Sequence, residues 1–323
     1  MHLRLGLGRA QSLPSFHMTP LRLEGIVAAT FTPLHPDGSL NTALVPTIID
    51  HLVRHGVAGI YINGTTGEGM SLTVAERCNL VEAYVNAAQG RLRTLVQVGH
   101  DSTAEAVTMA KHASELDVDA ISSTPPCYFK PGSISHLLDS FEVLTDAAPD
   151  TPFYYYHIPA LTGVPIDACE FLKLAKRRLP TLAGIKYSHT DLSTMLACLR
   201  ENDGQYDILY GCDESLLGAL AIGCRAAVGS TYNFAAKIYH EVIRALAEGD
   251  LKRAQDWQSR SVAMVRTLNE TCGGRPGLKP MMNLIGIDCG PHRLPQVDPE
   301  RGQIEELRMR LDALGFFSWI QES

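Results

Sequence analysis

Three features of the chain predict an α/β fold, a (β/α)8 or TIM barrel with a C-terminal helical extension. Short apolar runs, many of them β-branched, alternate with longer helical patterns. Eight such pairs lie between Gly25 and Glu248, and the runs are apolar almost throughout rather than at every second position. Continuous apolarity marks strands covered on both faces, which is how parallel strands are used. Eight units in this length suit a closed barrel, and a doubly wound open sheet is the alternative arrangement of the same alternation.

The expected strands, in order, are "GIVAATFT" (25–32), "GIYIN" (59–63), "TLVQVG" (94–99), "DAISST" (119–124), "PFYYY" (152–156), "LAGIK" (182–186), "DILYG" (207–211) and "AAVGS" (226–230). Each is followed by an amphipathic segment of roughly 10–16 residues, Thr42–His55 and Asp167–Leu179 among them. Two helix starts are announced by their caps. Thr73 with Glu76, and Ser102 with Glu105, have the spacing of a capping box, in which side chains satisfy the free N–H groups of a first turn. Helical patterns continue after the last strand at Tyr239–Glu248, Leu251–Glu270, Leu278–Leu284 and Gln303–Leu314, and read as an appendage or assembly surface. The chain therefore divides into residues 1–24, 25–235 (barrel core) and 236–323 (last barrel helix and C-terminal helices). The first of these carries Arg4 and Arg9 and no acid before Glu24. Its apolar run is too short and interrupted for a secretory signal, so a disordered extension is expected, with a basic targeting peptide as the alternative.

Composition narrows the function. Of 323 residues, 45% are hydrophobic and 20% charged, as in a soluble globular protein with a sizeable core. Lys and Arg number 28 against 35 Asp and Glu, a net charge of −7 without basic runs, which argues against a nucleic-acid partner. No stretch approaches the roughly 18 apolar residues of a membrane span. The eight cysteines form no C-x-x-C pair or zinc-type spacing and sit mostly in apolar segments. A reducing, cytoplasmic location without disulfides or structural metal is expected.

Barrels of this kind carry their chemistry at the C-terminal ends of the strands. After the second strand, "NGTTGEGMSLT" (63–73) offers close backbone approach at its glycines and hydroxyls at Thr65 and Thr66, a cradle for a carboxylate or phosphate or simply a βα turn. The fifth strand ends in "YYYHIPALTG". Alternation puts Tyr154 and Tyr156 on one face and Tyr155 on the other, with Tyr156 at the mouth, where a phenol can relay a proton or merely pack. The sixth ends at Lys186. A strand-end lysine can extend its ammonium to solvent; in an apolar mouth its pKa falls, and the neutral amine can attack a carbonyl to form a Schiff base. The seventh and eighth end in "GCDES" and "GSTYN", whose Asp213, Glu214, Ser230 and Thr231 suit a polyol, or cap the following helices.

Taken together and in order, "NGTTGEG", "YYYHIPALTG", "GIKYSHTDL", "GCDE" and "GSTYN" resemble the pyruvate-dependent class I aldolases, the family of dihydrodipicolinate synthase and the sialic acid lyases. The resemblance runs from about Gly25 to Pro295. It implies that Lys186 is the Schiff-base lysine, Tyr156 the proton shuttle, and Thr65 and Thr66 the holders of the pyruvate carboxylate. It places a further aromatic hydroxyl in the segment after the fourth strand, here "TPPCYFKP", where Tyr128 is the nearest match. The synthase branch has an arginine for a second carboxylate where this chain has Leu161, which removes a bidentate anion contact. The sialic acid lyase subgroup matches better, through "FYYYHIPALTGV" and "GPHRLP". In that subgroup Ser188, Gly211, Asp213, Glu214 and Ser230 would line the sugar site. The implied activity is reversible cleavage of N-acetylneuraminate to N-acetylmannosamine and pyruvate by a homotetramer, with no cofactor beyond the lysine. The alternatives are a pyruvate-dependent aldolase for another 2-keto-3-deoxy sugar acid, and dihydrodipicolinate synthase.

Overall fold

The computed structural model describes residues 21–321. Eight parallel strands close in sequence order into a barrel, with the last paired to the first. They are β1 (Gly25–Ala29), β2 (Gly59–Ile62), β3 (Arg93–Gln97), β4 (Ala120–Ser123), β5 (Phe153–His157), β6 (Leu182–Tyr187), β7 (Asp207–Tyr210) and β8 (Ala226–Gly229). Each expected run overlaps one of them: β3, β5 and β6 reach one residue beyond it, at Arg93, His157 and Tyr187, and the others are trimmed where strand-end residues leave the ladder to form loops.

Alternation sorts the side chains into two cores. Val27, Ala29, Tyr61, Leu95, Ala120, Tyr154, Tyr156, Leu209, Ala226 and Val228 fill the barrel interior. Their neighbours along each strand, Tyr155, Ile185 and Ile208 among them, pack outward under the helices. Large phenols from β2 and β5 face alanines from β1, β4 and β8, so the cylinder is filled rather than open. Tyr154 and Tyr156 share the inner face and Tyr155 takes the outer one, as period-2 geometry requires.

The base of the barrel is tied to the segment just before β1. Leu23 is buried against the inner core, and its N–H and the Tyr154 hydroxyl both donate to Asp207 Oδ2, at 3.1 and 2.8 Å. Residues 1–20, most of the expected N-terminal extension, lie outside the described residues.

The Thr73 cap forms both halves of its box. Glu76 N–H donates to the Thr73 hydroxyl at 3.2 Å, and Thr73 N–H donates to Glu76 Oε2 at 2.8 Å. At Ser102 only the forward half is seen, because Ser102 N–H donates instead to His100 Nδ1. The last barrel helix spans Tyr232–Ala247, starting earlier than its apolar pattern suggests. Asn233 explains the early start: it is buried and donates its amide to the carbonyls of Ala29 and Ser230. Beyond it come helices Leu251–Cys272, Leu278–Leu284, Arg301–Leu314 and Phe316–Ile320, the last without a sequence signal. Among the described residues no helix is long and apolar enough to cross a membrane.

Candidate active site

At the C-terminal end of the strands lie two adjoining chambers of ≈ 230 Å³ each. The first is lined by Thr65, Thr66, Tyr156, Lys186, Ser188, Gly211, Asp213, Glu214 and Ser230, so nine of the ten sequence-predicted residues meet there. The tenth does not. Tyr128 is 78% exposed and lines neither chamber. Asp101 Oδ1 accepts from the backbone N–H groups of Cys127 and Tyr128, which leaves Cys127 on the second chamber and Tyr128 stacked edge-on against the exposed Phe129.

Lys186 and Tyr156 are register partners on adjacent strands and point into the same face. The Lys186 side chain is 3% exposed, with Nζ 3.5 Å from the Tyr61 ring centroid and 4.0 Å from that of Tyr156. Both ring faces would attract an ammonium. Burial works the other way and dominates: it holds the amine well below the usual lysine range, with the Asp213 charge only partly opposing. That shift favours the neutral form, the form in which an amine can act as a nucleophile. Gly64 keeps this corner open, since a Cβ there would stand 2.7 Å from the Tyr61 ring and 3.9 Å from Nζ.

Tyr156 is the titratable group beside the amine. Burial raises its pKa, while the Thr65 and Ser188 hydroxyls and the Arg275 charge pull it back. Its hydroxyl lies 3.2 Å from Thr65 Oγ1, linking the phenol to the cradle. The cradle is a tight turn: Glu68 N–H donates to Thr65 O, and Gly69 N–H donates to Gly64 O. Glu68 takes left-handed φ 54 within it and sends its carboxylate into the protein, where Lys279 Nζ pairs with Oε1 at 2.7 Å and Arg293 N–H donates to Oε2 at 2.6 Å.

The two acids after β7 differ. Asp213 is buried, and Oδ2 accepts from the Thr231 N–H and hydroxyl at 3.0 and 2.6 Å. Burial lifts its pKa to about 6, with the Thr231 bonds opposing. It ties the end of β7 to the segment after β8 and caps no following helix, while Glu214 is the exposed acid of the pair. Gly211 is required by close approach, because a Cβ there would meet Ser188 Oγ at 2.1 Å.

Several wall residues have no strand-end motif. Tyr61 lies beneath the amine, and strand alternation puts it inside, so the sequence held that signal. Val265, Leu268, Asn269, Gly274, Arg275 and Leu278 arrive from the C-terminal helices. Those helices are therefore part of the site wall, beyond any role in assembly. Among the described residues no group of three His, Cys, Asp or Glu side chains is placed to hold a metal ion.

A closed eight-stranded barrel that gathers a buried strand-end amine, a phenol and a hydroxyl-lined turn at one end is the arrangement of a barrel enzyme with its site at the C-terminal ends of the strands. The chain belongs to the dihydrodipicolinate synthetase family, whose model matches residues 22–314. Within it, the chain is 38% identical over 302 residues to N-acetylneuraminate lyase of Gallus gallus, covering 92% of this chain and 98% of that protein. It is 37% identical to the Homo sapiens N-acetylneuraminate lyase, over 92% of this chain and 94% of that one. The solved structure of Proteus mirabilis N-acetylneuraminate lyase superposes with TM-score 0.89 at 38% identity, covering 92% of this chain and all (100%) of that one.

Proposed function

We propose that this chain is a Schiff-base aldolase that cleaves N-acetylneuraminate reversibly to N-acetylmannosamine and pyruvate. The observation that carries the chemistry is the Lys186 amine, buried against two phenol rings and in register with Tyr156, a setting that lowers its pKa. The names of the relatives favour the substrate, and the lining of Ser188, Glu214 and Ser230 suits a polyhydroxy chain.

The neutral Lys186 amine adds to the C2 ketone of the open-chain sugar, and loss of water gives a protonated imine. Tyr156 gives its phenolic proton to the water that leaves and, now a phenolate beside the iminium, takes the C4 hydroxyl proton while the C3–C4 bond breaks. That electron pair moves into the imine, leaving an enamine of pyruvate and free N-acetylmannosamine. Protonation at C3 and hydrolysis of the imine release pyruvate and restore the amine. Thr65 and Thr66 fix the carboxylate, so orientation supplies much of the rate. The protonated imine is the electron sink, and no metal or organic cofactor enters a step.

Leu161 stands on the wall of both chambers and leaves it apolar there, which disfavours the synthase alternative. Eight free thiols suit a reducing, cytoplasmic setting. A homotetramer is the assembly the resemblance implies, and the exposed Tyr128–Phe129 pair is a surface such contacts would cover.

The test is pyruvate release from N-acetylneuraminate in a coupled assay, together with borohydride reduction in the presence of pyruvate. Turnover is expected, with a reduced three-carbon adduct on Lys186 and loss of both in Lys186→Ala. An unmodified Lys186 peptide from treated, folded protein would refute the assignment.

A further inference from the structure

Arg275 is the one cationic side chain other than Lys186 on either chamber among the described residues, and it lies on both. It is exposed, in a short turn (Arg275–Gly277) between two C-terminal helices. Arg178 and Arg293 are each engaged by carboxylates within 2.8 Å, whereas Arg275 has no ion-pair partner among the described residues. Its surroundings are acidic: Asp213 and Glu214 share the first chamber, and the whole chain carries −7. A 2-keto acid is an anion at neutral pH and meets both carboxylates on the wall of the chamber that holds Lys186. The cradle that receives it offers hydroxyls and backbone N–H groups but no cation.

We infer that Arg275 determines specificity for anionic 2-keto acids, drawing the substrate carboxylate past Asp213 and Glu214 to the Thr65/Thr66 turn. The inference rests on the aldolase reading and deepens it. A single charge at the rim of a low-dielectric cleft focuses the field along the entry path and raises the encounter rate of opposite charges. Because the guanidinium is exposed, its effect is on association and is screened by salt, unlike the neutral donors within.

The test compares Arg275→Gln and Arg275→Lys with wild type in the condensation direction. KM is measured for pyruvate and for N-acetylmannosamine across ionic strengths, and kcat/KM for N-acetylneuraminate is measured alongside. Arg275→Gln should raise the pyruvate KM about fivefold at low salt. It should also flatten the salt dependence for both keto acids, and shift the KM of neutral N-acetylmannosamine by less than about twofold. Arg275→Lys should recover most of the loss. An unchanged pyruvate KM and salt slope overturns the inference. So does a loss confined to kcat with a displaced pH profile, because the guanidinium would then be acting on Tyr156. Should the glutamine variant fail to fold, wild type and the lysine variant still give the salt slope, and a flat slope in both overturns the inference. Wild-type protein that never traps pyruvate defeats the aldolase reading first and this inference with it.

Discussion

Lys186 is a lysine for which the charged form is the costly one. Its ammonium lacks a carboxylate in contact among the described residues, and the folded pKa is held well below 10.5. Adduct formation therefore needs no strongly alkaline medium. Borohydride trapping with pyruvate is expected to stay fast well below pH 10.5, then fall as acid protonates the amine. A trapping rate that climbs steadily to pH 10.5 would show an ordinary lysine. The acids after β7 should separate by readout. Glu214→Ala is expected to raise the KM for the sugar acid about tenfold, as loss of a charged hydrogen bond does, while melting and pyruvate trapping are retained. Asp213→Ala leaves the Thr231 N–H and hydroxyl without an acceptor, so it should also lower the melting temperature.

At the scale of elements, the loop after β2 is a glycine-rich turn held from outside. Glu68 joins it to Lys279 in the helix Leu278–Leu284 and to Arg293 beyond, and both charged side chains of the Glu68–Lys279 pair are 2% exposed. Removing one member of a buried pair strands the other. Lys279→Met is expected to cost about 3–5 kcal/mol of stability, read from denaturant unfolding. The double variant Glu68→Gln/Lys279→Met should recover much of that stability, yet keep a raised pyruvate KM because the turn has lost its tether. Equal recovery of both would make the pair a matter of stability alone. The turn's own glycines and threonines announced a cradle. Its tether was not legible, because Glu68 and Lys279 are 211 positions apart and only the folded chain brings them together.

For the whole molecule, acid stability rests on buried groups with opposed signs. His157, enclosed by Tyr155, Tyr187 and His189, is pushed by burial from 6.5 down to about 4. A base depressed on folding contributes fully above its unfolded pKa, and that contribution is lost as pH falls from 6.5 through about 4, at most ~3 kcal/mol. Asp207, raised by burial from 3.8 to about 6, works in reverse: its contribution is complete below 3.8 and is lost as pH rises through about 6. His157→Gln should flatten the fall in melting temperature between pH 6.5 and 4, and Asp207→Asn should flatten the opposing trend. Unchanged pH profiles in both variants would mean that neither group titrates differently on folding.

The sequence alone determined the eight-unit barrel and nearly every strand-end group, because short buried strands and capped helices are set by local periodicity, and because barrel chemistry gathers at one end of the strands. It also placed Tyr154, Tyr155 and Tyr156 on their faces through simple alternation. Only tertiary structure decided which groups stand at the chamber and what state they hold. Tyr128 left the wall, and Arg275 and the Lys279 tether arrived from the C-terminal segment with no motif of their own. The reason is physical: a pKa and a cavity wall depend on burial and on partners distant in the chain, and no local pattern of residues encodes either.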